Sequence, residues 1–339
     1  MRLIKGIILT VILGLFSGIS IAQQVPMYSQ YIMNGFLINP SLAGRDGYTT
    51  INLTVREQWV GLTGAPATFA ASFQTRVLKN SYIEKSTSVH KKTVRPTKGG
   101  NVGLGGYIFN DRNGIISRTG ILLAYAYHIP LGKSDGQPTY LSLGLAGTFY
   151  QYAIDLNRSI MDNLNDKDDD FLRNYNTRVY IPDFNFGATY TTDKFYVGFA
   201  MSSLSRGSIL FGNRGGINNR SELGNYFLTG GVKIKFAGSS DWELEPSALL
   251  KSSDLVFKSF QMDLTARMYY KSDYWAGISW RTRDAIVAMI GLKYDRFYFA
   301  YATDFTLTDI RKQTFGSHEL TLAVKFGESA RRYRWLNAY

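Results

Sequence analysis

Few residues in this chain are of a kind that does covalent chemistry. The three histidines, His90, His128 and His318, are scattered, and none has a serine or carboxylate partner at a spacing that would make a relay. There is no cysteine, which removes thiolate metal sites, thiol nucleophiles, disulfides and a lipidated amino-terminal cysteine together. No phosphate loop or zinc signature is present, and no cofactor is implied. The acidic run Asp162-Asn-Leu-Asn-Asp166-Lys-Asp168-Asp169-Asp170 offers hard oxygen ligands of the kind calcium takes. It lacks the glycine and closing glutamate of a hand-type loop, so it reads better as a solvated surface loop. Residues so placed point away from an enzyme and toward a binding or structural role.

The elements that must position these residues are strands. Aromatic residues reach 14%, with 33 Gly against 8 Pro, a mixture that favours many strands joined by turns. At the start, Arg2 and Lys5 precede the apolar run Gly6 to Ile21, and Ser20-Ile21-Ala22 supplies the small residues of a cleavage site. This predicts a cleaved signal peptide over 1–22. Beyond Gln23 no apolar run is long enough for a membrane helix. An exported chain of this kind is therefore either soluble or inserted as a closed sheet.

Alternation and length favour the closed sheet. Leu141, Leu143, Leu145 and Phe149 share one face, opposite Ser142, Gly144, Ala146 and Thr148. Likewise Phe260, Met262, Leu264, Ala266 and Met268 alternate with Gln261, Asp263, Thr265 and Arg267. A soluble sandwich also alternates, but about 14 candidates of roughly 9 to 13 residues, from 47–58 to 317–327, have the length of tilted membrane strands. The expected fold is all-β, a transmembrane antiparallel β-barrel of the outer-membrane type over 47–327.

The connections fit an outer-membrane orientation, with short periplasmic turns and long outer loops. Links at 191–193, 237–240, 271–272 and 295 are short and share one parity. Those at 151–179, 204–224 and 305–316 are long and share the other. Both termini are then expected in the periplasm, with 23–46 as a periplasmic or plug segment and 328–339 as a periplasmic tail. The basic stretch 79–99, with Lys79, Lys85, Lys91, Lys92, Arg95 and Lys98 against Glu84, breaks the rule by being long on the periplasmic side.

Aromatic pairs near strand ends, among them Trp59, Tyr125 and Tyr127, Tyr150 and Tyr152, Trp242, Tyr274 and Trp275, and Trp280, fit interfacial girdles. Placing the apolar stripes toward lipid turns Arg56, Arg76, Lys233, Lys235, Glu243, Glu245, Asp263, Arg267 and Arg281 inward. Charges of both signs can knit a lumen shut, so the preferred picture is a filled interior with the segment after Gln23 tucked beneath it. The net charge of +12 comes without a nucleic-acid recognition motif, and an exported location offers no nucleic acid.

Several strings resemble the PorP/SprF family of Bacteroidetes outer-membrane proteins. They are QQVPMYSQYIMNGFLINPSLAG at the mature start, REQWVGLTGAPATF at 56–69, GGYIFNDRNGIISRTG at 105–120, YAYHIPLG at 125–132, YDRFYFAYATDF at 294–305 and GSHELTLAVKF at 316–326. The first two are the specific ones. The resemblance implies a non-enzymatic part in type IX secretion and gliding motility. Implied partners are outer-membrane lipid, a secreted adhesin or its C-terminal signal domain, and periplasmic ring and translocon components of that system.

Candidate partner contacts follow from placement. Trp59, Gly64 and Pro66 fall in the turn between the first two strands, outside by parity, although an interfacial anchor is the better reading of Trp59. Asp111 lies in Asn110-Asp111-Arg112-Asn113-Gly114, which reads as a hairpin loop ending in an Asn-Gly turn. Arg331, Arg332, Arg334 and Trp335 form a basic, aromatic tail expected to touch a periplasmic component. The alternative reading is a transport channel for small or hydrophobic solutes.

Overall fold

The structure, a computed structural model, describes residues 28–77, 100–134, 137–154, 178–205, 208–210, 219–221, 224–236, 241–253 and 260–326. Its strands, in chain order, are β1 (Thr49–Glu57), β2 (Ala67–Val77), β3 (Val102–Asn113), β4 (Ile116–Ser134), β5 (Gln137–Ile154), β6 (Arg178–Thr191) and β7 (Phe195–Ser202). They continue with β8 (Asn225–Val232), β9 (Trp242–Ser252), β10 (Phe260–Tyr270), β11 (Tyr274–Arg281), β12 (Ala285–Tyr294), β13 (Phe297–Thr306) and β14 (Ser317–Phe326). Ile234–Lys235 extends β8 against the same neighbour, β9. A separate short pair, Ser208–Leu210 with Asn219–Ser221, lies between β7 and β8.

Each strand pairs antiparallel with its neighbours in sequence, and β1 pairs with β14 from Thr49↔Phe326 to Glu57↔His318. The ring therefore closes at 14 crossings, as expected from the sequence, and the sheet has no edge. Pairing this local needs only short connections between most neighbours.

Outside and inside are separated by the two-residue period. Leu145, Ile278 and Ile290 are 62%, 63% and 61% exposed. Their neighbours Ala146, Ser279 and Met289 are buried. Leaving such side chains in water forfeits about 1.5 to 3 kcal/mol each, and an apolar belt this continuous has only hydrocarbon as a fitting solvent. Among the described residues no helix is long and apolar enough to cross a membrane.

Two ends can be defined. The near end holds Thr49 and Phe326 and the short links 135–136, 192–194, 271–273 and 295–296. At the far end are the links 155–177, 203–224 and 307–316, together with the tight turns Gly114-Ile115 and 282–284. The expected hairpin loop over 110–114 is corrected here. Strand β3 runs on through Asn113, because Asn110 donates to Thr119 Oγ1 at 2.6 Å and Asp111 accepts from Thr68 Oγ1 at 2.6 Å within the sheet. Polarity in this stretch marks strand beyond the apolar belt.

The girdle reading also needs correction. Tyr125, Tyr127, Trp242, Tyr274 and Trp280 do face outward, but Tyr150 and Trp275 are buried in separate parts of the interior and Tyr152 packs beside Tyr150. Adjacent residues of a strand point to opposite faces, so the members of an aromatic pair such as Tyr274-Trp275 divide between lipid and lumen.

The interior is filled by residues 28–46, which cross it from the far end to the near end. They carry two short 3-10 turns, Gly35–Leu37 and Pro40–Leu42. Asn39 caps the second, its side chain accepting from the Ser41 amide at 3.0 Å, and Pro40 opens it at a position where no amide proton is needed. The first described residue, Tyr28, thus lies at the end opposite Phe326. The ends of the barrel, Thr49 and Phe326, share the near end, and the termini themselves lie outside the described residues. The expected leader 1–22, the basic stretch 79–99, the acidic run 162–170 and the expected tail 328–339 lie outside the described residues.

Candidate functional site

The plug formed by residues 28–46 is held at both ends and wedged in the middle. At the far end, five wall residues converge on Ser29: Arg56 of β1, Asp263 of β10, Arg281 of β11, Asp304 of β13 and Glu319 of β14. Arg56 Nη2 donates to Asp304 at 2.7 Å and its Nη1 lies 3.3 Å from Glu319. Arg281 donates to Asp263 at 3.1 Å and to Asp304 at 2.9 Å. The Ser29 hydroxyl donates to Asp304 at 2.8 Å and accepts from Arg56 at 2.6 Å and Arg281 at 3.3 Å.

Charge bookkeeping explains why the plug belongs there. Two guanidiniums face three buried carboxylates, with Asp284 a further carboxylate 3.5 Å from Arg281 at the rim and Lys251 a further cation acting on Asp263, so carboxylates outnumber guanidiniums. The plug supplies donors to the third carboxylate, since the amides of Ser29 and Gln30 bond the two Glu319 oxygens at 2.7 and 2.9 Å. A buried carboxylate without such donors is costly, so the wall favours the occupied state.

In the middle the seat is steric. A Cβ on Gly105 would strike the Phe36 ring, one on Gly144 the backbone of Pro40 and Ser41, and one on Gly187 the Asn39 side chain. These glycines are inward positions of β3, β5 and β6, where only hydrogen lets the two backbones approach. Phe36 is buried and meets Tyr107 edge to face at 5.8 Å between centroids. Asn39 Nδ2 donates to Thr189 Oγ1 at 3.1 Å, and the Ser41 and Thr189 hydroxyls lie 2.6 Å apart. Gly144→Val is therefore expected to lift residues 39–43 off the wall while the barrel survives. Limited proteolysis should then cut within the plug, with the folded-barrel gel mobility retained; an uncut plug would count against this seat.

At the near end, His128 Nε2 and the Ala43 carbonyl are 2.9 Å apart, with the other ring nitrogen 2.7 Å from Ser142 Oγ. Gly44 N donates to Gln74 Oε1 at 3.2 Å, and Lys325 Nζ reaches Asp46 at 3.1 Å. Against a desolvation that alone would raise it, Lys325 and Arg45 hold the Asp46 carboxyl well below the usual carboxylate range. This latch stays ionised at neutral pH.

A cavity remains on either side of the plug. The near one has a volume of about 510 Å³, with Arg45, Lys233, Arg267 and Tyr196 in its wall. On the far side the space is about 90 Å³, bordered by Tyr28, Phe109, Arg118 and Lys251. Phe36 and Ile38 line both and form the septum between them.

Of the charges expected inside, Arg56, Glu245, Asp263, Arg267 and Arg281 are buried. Glu245 and Arg267 pair at 3.2 Å beside Trp275. Lys233 and Lys235 are exposed at the near rim. Asp304, Glu319, Ser29 and the seating glycines were not anticipated. Alternation could have found Asp304 and Glu319, since each adjoins an outward apolar residue, Phe305 and Leu320.

Of the candidate partner contacts, Trp59, Gly64, Pro66 and Asp111 fall at the far end. Trp59 takes a positive φ of 49° and its amide donates to Ser317 Oγ at 3.2 Å. The Gly64 carbonyl accepts from Gly114 N at 3.0 Å, and that of Pro66 from Gln58 N at 2.8 Å. Asp111 points into the lumen wall toward Arg118 and is half-buried. Arg331, Arg332, Arg334 and Trp335 lie outside the described residues. His128 and His318 are not brought together: the first faces the plug, and the second meets the Tyr301 hydroxyl at 2.7 Å on the outer surface. Among the described residues no cluster of ligands suits a metal.

Residues 20–324 match the type IX secretion system membrane proteins PorP/SprF. The chain belongs to this family. A PorP/SprF protein takes part in type IX secretion, and its barrel and lipid-facing belt place it in the outer membrane. Among curated proteins none matches the chain. Solved structures with similar folds include Omp33 of Acinetobacter baumannii, at 7% identity and a TM-score of 0.43, covering 83% of this chain and 99% of that one. The toluene transporter TbuX of Ralstonia pickettii gives 11% identity and a TM-score of 0.44, covering 86% and 92%. For the KdgM porin the values are 9% and 0.37, covering 82% and 99%. At that level the likeness adds nothing to what the strand pairing shows.

Proposed function

We propose that this PorP/SprF protein is a non-enzymatic scaffold in the outer membrane that assists export or surface anchoring of a large adhesin-type cargo in type IX secretion and gliding. The observation that carries the reading is the plug. A lumen occupied by the protein's own chain, pinned at both ends and lined by paired charges, is poorly suited to passing small or hydrophobic solutes. Its working surfaces are then its two faces.

The near end, with its short links, is taken as periplasmic and the far end as external. At the far end the links 58–66 and 307–316 are tied together. Val60 N donates to Gly316 O at 2.9 Å and Phe315 N to Val60 O at 2.8 Å. This fixed platform leaves Phe315 83% exposed, and it carries Trp59, Gly64 and Pro66 as proposed cargo contacts. The tail 328–339 follows β14 at the near end and is proposed to meet the periplasmic ring or translocon.

Photo-crosslinkers at Phe315 and at Arg296 test both assignments. Cargo should be captured from Phe315 and periplasmic components from Arg296, identified by mass spectrometry. Purified native protein should also leave planar bilayers silent. Solute-dependent conductance with no captured cargo would replace the scaffold by a channel.

A further inference from the structure

The near cavity is a pocket with a floor. Its volume of about 510 Å³ falls in the range of ligand pockets. Phe36, Ile38 and Asn39 of the plug close it below, and Asp193 and Ser272, in two of the near-end links, mark its mouth. Two aromatic rings lie flat on its wall. Tyr196 of β7 crosses Gly231 of β8, its register partner, and Trp275 of β11 crosses Gly291 of β12, its own partner; a Cβ on either glycine would strike the ring. Each ring thus has one face against the wall and the other turned toward the lumen. Beside Trp275, Arg267 pairs with Glu245 at 3.2 Å and lies 5.3 Å from the centre of the Tyr269 ring. Arg267 Nε and Thr191 Oγ1, both buried in this wall, have no hydrogen-bond partner among the described residues. Five lysine and arginine side chains line the cavity against the three carboxylates of Asp46, Asp193 and Glu245, a formal excess of two positive charges.

We propose that this pocket is a binding site for a short acidic saccharide. The chemistry follows from what the wall offers. Its strand backbones are engaged in the ladder, so a ligand meets side chains alone, and a peptide bound there would leave main-chain amides and carbonyls short of partners. An apolar ligand would strand the Glu245–Arg267 pair and the lysines without water. A simple inorganic anion would leave most of the volume empty and the rings unused. A sugar uses every feature at once. Its C–H face packs on a flat aromatic face. Its hydroxyls both donate and accept, which suits a wall holding the Glu245 carboxylate, the Arg267 guanidinium and the Thr191 hydroxyl together. A carboxylate on the sugar answers the positive excess, which the low-dielectric walls focus toward the mouth. Because the plug closes the floor, the ligand is held at one face of the barrel and not passed through it. Binding of this kind is independent of which face is periplasmic.

Isothermal titration calorimetry on the full chain, in a detergent without a sugar headgroup, tests the site. The probes are the disaccharide of N-acetylglucosamine and N-acetylmuramic acid, digalacturonic acid, neutral di-N-acetylchitobiose and tetraglutamate. At least one acidic disaccharide is expected to bind saturably, with chitobiose weaker by about tenfold. Tyr196→Ala, which removes a stacking face, and Lys233→Glu, which reverses a charge at the rim, are each expected to weaken that binding by about tenfold. Lys233 is exposed, so its replacement should leave the folded-barrel gel mobility unchanged. Preference for the muramic disaccharide assigns the pocket to cell-wall glycan and preference for digalacturonic acid to a uronate polysaccharide; either supports the proposal. It is overturned if neither acidic sugar binds saturably, if either variant leaves binding intact, or if chitobiose or tetraglutamate binds as tightly as the acidic sugars.

Discussion

Arg56→Ala is expected to unseat the plug and turn a silent barrel into a conducting one. Arg56 holds Asp304 at 2.7 Å, Glu319 at 3.3 Å and the Ser29 hydroxyl at 2.6 Å, and all three partners are buried. Its removal leaves Arg281 as the one guanidinium among Asp263, Asp284, Asp304 and Glu319. Breaking a buried pair from one side typically costs about 3 to 5 kcal/mol, which corresponds to a shift of roughly 10²- to 10⁴-fold in the seating equilibrium if the plug absorbs it. The cheapest relief is for residues 28–34 to leave and water to enter beside Asp304 and Glu319. Planar-bilayer recordings should show open events in the variant and few in the native protein, with the folded-barrel gel mobility unchanged. Equal silence of the two would mean that the far-end cluster does not hold the plug.

A charge placed on the outer face should cost stability according to depth. Leu145 sits mid-way along β5 and points to lipid, so Leu145→Arg is expected to destabilise the barrel by about 2 to 4 kcal/mol in denaturant unfolding from bilayers. Phe315, in the outer link, is equally apolar and more exposed. Phe315→Arg should cost no more than about 1 kcal/mol because an interfacial arginine keeps its hydration. Similar costs at the two positions would contradict a hydrocarbon belt and favour a protein partner around the sheet.

The wall of this barrel was largely legible in the sequence, because a lipid-facing strand must alternate. Arg267 between Ala266 and Met268, and Asp263 between Met262 and Leu264, are assigned to the lumen by parity alone, and both are buried there. Polar stretches outside the apolar belt were less legible. Asn110 to Asn113 read as a loop because their polarity resembles that of a solvated turn, whereas Thr68 and Thr119 bond two of them within the sheet.

The plug was legible as a segment and not as a site. Ser29 lies in a stretch with no period to orient it, and its importance comes from residues more than 250 positions away in Asp304 and Glu319. Gly144 and Gly187 show in the sequence as small inward residues, but nothing local says that Ser41 and Asn39 are what they make room for. Such pairings are tertiary facts and leave no short-range pattern.

A cysteine pair tests the central claim, a closed barrel stoppered by its own chain, most directly. The Ser41 and Thr189 hydroxyls are 2.6 Å apart, close enough for side chains of that length to be bridged, and the chain has no other cysteine to compete. In native membranes the double variant Ser41→Cys with Thr189→Cys is predicted to form an internal disulfide linking peptides that contain residues 41 and 189, found by mass spectrometry after proteolysis. Free thiols at both positions under oxidising conditions, in a barrel that is otherwise folded, would contradict it.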